Sequence, residues 1–220
     1  MNQKPPQPST SALGATLTAL EEEVSRCRAC VSEPAGSPLP HLPRPVVRLS
    51  ATARICIAGQ APGMRVHQTG IPFNDPSGDR LRDWMGIDRE TFYDQSLIAI
   101  VPMGFCFPGY DAKGGDLPPR KECVRLWHDR IFAAMPQIEL VLAIGQYAQR
   151  YHLGSLRKKS LTETVKAAQA FWNGSDSPRV LPLPHPSWRN TAWLKKNPWF
   201  EREILPLLKE EVQRHLVTTR

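Results

Sequence analysis

The feature that most constrains this chain is a rhythm. Short apolar runs recur at residues 54–59 (RICIAG), 96–102 (SLIAIVP), 139–145 (ELVLAIG) and 179–184 (RVLPLP), and helical patterns fill intervals at 77–85, 122–134, 146–153 and near 161–171. Alternating strands and helices build a parallel sheet buried on both faces, because each crossover lays a helix over one side or the other. The expectation is an α/β protein, a three-layer α/β/α sandwich around a central four-stranded parallel sheet. A last helix over 200–212 closes it. In sheets of this kind ligands gather beyond the carboxyl ends of the strands. Here those ends lead into GQAPG, PMGFCFPG, GQYAQ and HPSWRN.

A length of 220 residues with 41% hydrophobic side chains suffices for one such domain. Residues 1–10 are polar and proline-rich and read as a disordered tail. Residues 11–47 hold a short amphipathic helix, with Leu13, Leu17, Leu20 and Val24 at helical spacing, then a CxxC pair and a connector (31–45) whose five prolines forbid a regular element. The core domain occupies 48–215. No apolar run approaches the ~20 residues needed to span a bilayer, and the N-terminus lacks the basic-then-apolar order of a secretory signal, so a cytoplasmic location is expected. The net charge of +7 permits a polyanionic partner such as DNA without demanding one. Five cysteines in a reducing compartment argue against a disulfide framework and leave buried thiols, metal ligands or a reactive thiol.

The stretch GQAPGMRVHQTGIPFNDPSGDRL (59–81) has four glycines and three prolines, the composition of a rigid loop brought close to a ligand. It carries neither the GxxxxGK[ST] of a nucleotide-phosphate loop nor the GxGxxG of a dinucleotide fold. Together with LPHPSWRN after the last apolar run, it resembles the two signature motifs of the uracil-DNA glycosylase superfamily, particularly its iron-sulfur families 4 and 5. A Gly-Pro turn or an HPS triplet alone is common; their order, their separation and the strand before each carry the resemblance, which covers residues 54 to about 212.

These enzymes extrude a deoxyuridine, stack its base on an aromatic ring, and break the glycosidic bond while an oxocarbenium sugar and a uracil anion develop. The resemblance implies that Phe73 is the stacking ring, in a base pocket shaped by Gly59, Pro62 and Gly63. It implies that His185 donates a hydrogen bond to the departing base, where negative charge grows. Ser187 and nearby amides would grip a DNA phosphate, and Arg189 would push into the vacated stack, with Trp188 as the alternative wedge. WRNTAWLKKNPWFER also interleaves aromatics with Arg189, Lys195, Lys196 and Arg202, which suits a DNA-facing surface and equally a helix pair with buried Trp and solvated Lys.

Two departures from the family pattern matter. Family 4 places a glutamate second in the first motif and family 1 an aspartate third, whereas this chain has Gln60 and Ala61. The amide oxygen of Gln60 can orient a water but cannot take its proton. Asp75, which matches the motif aspartate suggested for family 5, is therefore the catalytic candidate, with His185 and Gln60. Asp79 reads as a first-turn residue of a helix capped by Ser77. The second departure is Pro102, which stands where family 4 reads the uracil edge with an asparagine, so the accepted base can differ from uracil.

Cys27 and Cys30, with Cys106 and Cys123, are four thiolates from two segments, suited to a [4Fe-4S] cluster or a structural zinc. General frequency favours zinc; the resemblance implies iron-sulfur. Cys56, inside the first apolar run, reads as a small buried hydrophobe. The expected function is a monomeric base-excision repair glycosylase hydrolysing the N-glycosidic bond of uracil or a related damaged base in DNA. One alternative on the same fold is a non-catalytic nucleic-acid binding protein, and another is a thiol or metal-cluster protein serving a different ligand.

Overall fold

The computed structural model describes residues 10–168 and 178–217, with side chains from residue 14 onward. Its sheet contains β1 (Ile55–Ala58), β2 (Ile98–Ile100), β3 (Leu140–Ile144) and β4 (Arg179–Leu183), all parallel in the order β2-β1-β3-β4. Helices α1 (Thr10–Ser25), α2 (Pro76–Met85), α3 (Gly145–Leu153) and α4 (Leu205–Val217) are among those that cover it. This is the expected three-layer sandwich.

Side-chain alternation along the strands separates two cores. Ile55, Ile57, Ile98, Leu140, Leu142 and Leu181 face α2 and α4, where Leu81, Trp84, Leu208 and Val212 meet them. The opposite face is built largely of small side chains, Cys56, Ala58, Ala99 and Ala143, and receives Leu17, Leu20 and Val24 of α1 with Ala148 of α3. Each buried Leu or Ile contributes about 1.5–3 kcal/mol by leaving water, so the bulky face supplies most of the sheet's hydrophobic stabilisation. Cys56 is wholly buried in the small-residue face, and burial pushes its thiol up to about 12.

Several local expectations need correction. α2 starts at Pro76, and its N-cap is Asp75, whose Oδ1 accepts from the Gly78 amide at 3.0 Å, so Ser77 lies inside the helix. Proline is well placed at a first helical position, where no amide donor is needed. Asp79 does sit in the first turn, paired with Arg82. The 59–81 loop contains a short helix, Met64–Thr69, and a second short helix, Arg89–Tyr93, follows α2; both are too brief to show a periodic signal. The 122–134 helix is real but changes to π geometry over Val124–His128. The final helix opens with a π segment, Phe200–Ile204, and continues to Val217. Of the 161–171 expectation, Leu161–Lys166 is helical, while 169–171 and the tail at 1–9 lie outside the described residues.

The connector is irregular only after Ser32, since its first two residues end a short helix, Ala29–Ser32, and just beyond it Arg48 exchanges hydrogen bonds of 2.9 and 2.8 Å with Ile100, covering the exposed edge of β2. Among the described residues no helix is long and apolar enough to cross a membrane.

Candidate functional site

All four strands deliver side chains to one cleft of about 570 Å³ at their carboxyl ends: Gln60 after β1, Pro102 after β2, Tyr147 after β3 and His185 after β4. Phe73, Asp75, Ser187, Trp188 and Arg189 share its lining, as do Gly59, Pro62 and Gly63.

Phe73 is held in an uncommon conformation. Its φ is +53°, the left-handed region, which costs a bulky side chain about 1–3 kcal/mol and persists only where the surroundings impose it. They do so from both sides. A Cβ on Gly78 would lie 1.8 Å from the Phe73 carbonyl oxygen, and one on Gly59 would lie 3.3 Å from the ring tip. Phe92 meets the ring edge-on at 5.9 Å, and the Tyr93 hydroxyl donates to the Pro72 carbonyl at 2.9 Å. The half-buried ring is thereby presented to the cleft on a backbone with little freedom.

The second loop is just as constrained. His185 Nδ1 accepts from the Ser187 amide at 3.2 Å, and the Asn190 side chain donates to the His185 carbonyl at 2.7 Å. Burial pushes the imidazole below its usual range, opposed by the charge of Asp75 and reinforced by that of Arg189. A neutral ring that accepts at Nδ1 carries its proton on Nε2, so His185 is set as a one-hydrogen donor. The Ser187 amide is spent in fixing that tautomer and is not free to hold a phosphate. Arg80 of α2 donates to the carbonyls of Pro186 and Ser187 at 3.1 and 3.2 Å, tying the two loops together.

The family model described as the Uracil DNA glycosylase superfamily matches residues 47–209, most of the chain. The chain belongs to the uracil DNA glycosylase superfamily. Membership assigns it a DNA glycosylase-like function in general terms and DNA as its partner. The matched span contains both loops of the cleft and all four strands that feed it.

Within this glycosylase fold, Gln60, Phe73, Asp75 and His185 converge, together with Ser187, Trp188 and Arg189. Lys195 and Lys196 do not line the cleft; they stand exposed on the adjacent helix, Thr191–Lys196. The tryptophans of that region divide. Trp193 and Trp199 pack with Phe200 against the core, with their indole N–H groups satisfied by Thr162 and Asn197. Trp188 is 75% exposed at the cleft mouth, with the Arg189 guanidinium 5.8 Å from its ring centre. Sequence reasoning singled out neither Arg80 and Tyr93, whose contacts join residues distant in sequence, nor Tyr147 and Asp116, which enter the cleft lining from outside the two signature loops.

Cys30, Cys106 and Cys123 come together beside the small-residue core, with Cys27 in electrostatic reach of Cys106. Cys30 and Cys106 pack with Leu39, and the Cys30 and Cys123 side chains hydrogen-bond to each other. That bond lowers the Cys30 thiol to about 7 and raises that of Cys123, while burial pushes Cys106 up to about 12 with Cys30 and Cys27 in electrostatic reach. As the side chains stand, no three described His, Cys, Asp or Glu residues adopt metal-ligand spacing. Around them Glu122 accepts from the Ala35 amide at 2.8 Å and from Arg120 at 2.6 Å, and Arg120 donates to the Ser37 carbonyl at 2.7 Å. Protein bonds therefore pin the proline-rich connector beside Cys123.

Proposed function

We propose that this chain is a base-excising DNA glycosylase that hydrolyses the N-glycosidic bond of uracil or a related deaminated base. The observation that supports it most is the convergence of Phe73, Asp75 and His185 on one cleft, with the His185 proton fixed on Nε2. The extruded base stacks on Phe73. As the bond to the sugar lengthens, its electron pair moves onto the base, and the His185 Nε2–H donates to the oxygen where that charge collects. Asp75 lies close enough to influence His185 electrostatically and faces the developing sugar cation. Its Oδ1 caps α2, and the second oxygen is free of hydrogen bonds to described residues, open to accept the proton of the attacking water. Gln60 orients that water through its amide oxygen. Arg189 is the wedge, with Trp188, exposed at the cleft mouth, as the alternative, while the Ser187 hydroxyl, Lys195 and Lys196 meet phosphates.

In the same reading Cys27, Cys30, Cys106 and Cys123 hold a [4Fe-4S] cluster, which places the chain beside families 4 and 5. Four sulfur donors drawn from two segments support this assignment. Such a cluster would supply a structural clamp between connector and core, with no part in base release. The binding-module alternative draws on Gln60, which lacks the carboxylate that the motif usually provides, and on Pro102, which stands in place of the edge-reading asparagine.

Abasic-site formation on oligonucleotides carrying uracil, hypoxanthine, xanthine or oxidised pyrimidines tests the reading. Release of at least one deaminated base is expected. Tight DNA binding without release from any of them would favour the binding module.

A further inference from the structure

The second loop has few donors left for a DNA backbone. The Ser187 amide is spent on His185 Nδ1, the Asn190 amide donates to the Ser187 carbonyl at 3.0 Å, and the Asn190 side chain holds the His185 carbonyl. Pro186 has no amide hydrogen to offer. A charged grip on a phosphate at this loop therefore falls to neighbouring side chains.

Arg80 is placed for it. It follows Ser77 by three residues on α2, hence on the same helix face, and Ser77 and Ser187 both line the cleft. Its Nη1 donates to the Pro186 and Ser187 carbonyls at 3.1 and 3.2 Å, which spends both hydrogens of that nitrogen and fixes the plane of the guanidinium. The other edge is open. Nε and Nη2 make no hydrogen bond to a described residue, and neither is closed off from solvent. Among the described residues Arg80 has no carboxylate partner either, because its neighbour Asp79 pairs with Arg82. The half-buried cation is thus oriented by two carbonyl dipoles, and its charge is permanent at any working pH.

Resting on the glycosylase reading above, we propose that Arg80 grips a backbone phosphate beside the extruded nucleotide through its Nε–Nη2 edge. That edge carries two parallel N–H donors matched to two oxygens of one phosphate, a bidentate geometry that a lysine cannot supply. The same guanidinium holds the two residues that follow His185, so the backbone of the nucleotide and the donor to its base are both referenced to one rigid group. A purely structural staple would make the same two carbonyl bonds and leave the open edge idle. Experiment separates the two roles.

The test uses the full chain and a duplex oligonucleotide carrying one 2′-fluoro-2′-deoxyuridine, which resists hydrolysis, so binding is read apart from base release. A methylphosphonate, which removes the charge of one phosphate, is placed singly at each phosphate adjacent to that nucleotide. At one position wild-type affinity should fall by about 10-fold or more, the worth of a charge-assisted hydrogen-bonded contact, and Arg80→Gln should show no such loss there. On the unmodified duplex Arg80→Gln should also flatten the dependence of log affinity on log salt by about 0.9, the counterions of one phosphate. Wild-type insensitivity at every position would overturn the assignment without any variant having to fold. Equal sensitivity in folded Arg80→Gln, or an unchanged salt slope, would overturn it as well. The coupled loss in a protein that releases no base from the corresponding uracil duplex would uphold this inference while refuting the glycosylase reading; base release without the coupling would do the reverse.

Discussion

At the scale of single residues, Asp75 and His185 each do two jobs that can be separated. Asp75 caps α2 and faces the site of reaction. Asparagine caps a helix as well as aspartate, so Asp75→Asn should fold with near wild-type stability while single-turnover base release falls roughly 10²-fold for want of a proton acceptor. Asp75→Ala should lose about 1 kcal/mol of stability in addition, and Ser77→Ala, inside the helix, should lose under about 0.5 kcal/mol. Denaturant titration of the three variants distinguishes the caps, and equal losses for Ser77 and Asp75 would reverse them. For His185 the sign follows from its surroundings. With its pKa below the ordinary 6.5, the ring stays neutral as pH falls through that value and gains its proton only further into acid. Removing the Asp75 charge should lower the titration further, and Arg189→Ala should raise it, both visible in imidazole NMR shifts. Titration at the ordinary value would mean that the ring is not desolvated as described.

At the scale of elements, the path from sequence to site runs through turns that no periodicity reveals. The four strands and the long helices were legible because apolar runs and helical spacing are local signals. Phe73 was legible only through its motif, and its left-handed backbone was not, since that conformation is imposed by Gly78 across the turn and by the Phe92–Tyr93 helix further along. The tie from Arg80 to the second loop was equally hidden, because it joins residues more than a hundred positions apart. Capping preference alone points to Ser77, but the proline takes its natural place in the first turn and moves the cap to Asp75. The decisive variant at this scale is Gly78→Ala. Its methyl would stand 1.8 Å from the Phe73 carbonyl oxygen, so the turn must open. The expected loss of stability well exceeds the ~1 kcal/mol of a tolerated glycine replacement, with Phe73 displaced and base release lost. A variant with wild-type midpoint and activity would show that the left-handed turn is dispensable.

At the scale of the whole molecule, the sheet feeds one cleft, and bonds from Glu122 and Arg120 anchor the N-terminal connector beside Cys123. Purified anaerobically, the protein should be brown, with broad visible absorption lost in variants of Cys27, Cys30, Cys106 or Cys123 and kept in Cys56→Ala, whose sulfur sits in the small-residue core. Colourless protein carrying one zinc would replace the cluster assignment and leave the cleft chemistry untouched. The central claim, that the cleft releases a base, is tested most directly by single-turnover release from an oligonucleotide containing uracil or whichever deaminated base is accepted, comparing wild type with Phe73→Ala and His185→Ala. Release by the wild type, with a loss of roughly 10²-fold or more in both folded variants, is the predicted result. Wild-type rates in either folded variant, or no release from any deaminated base, would contradict it.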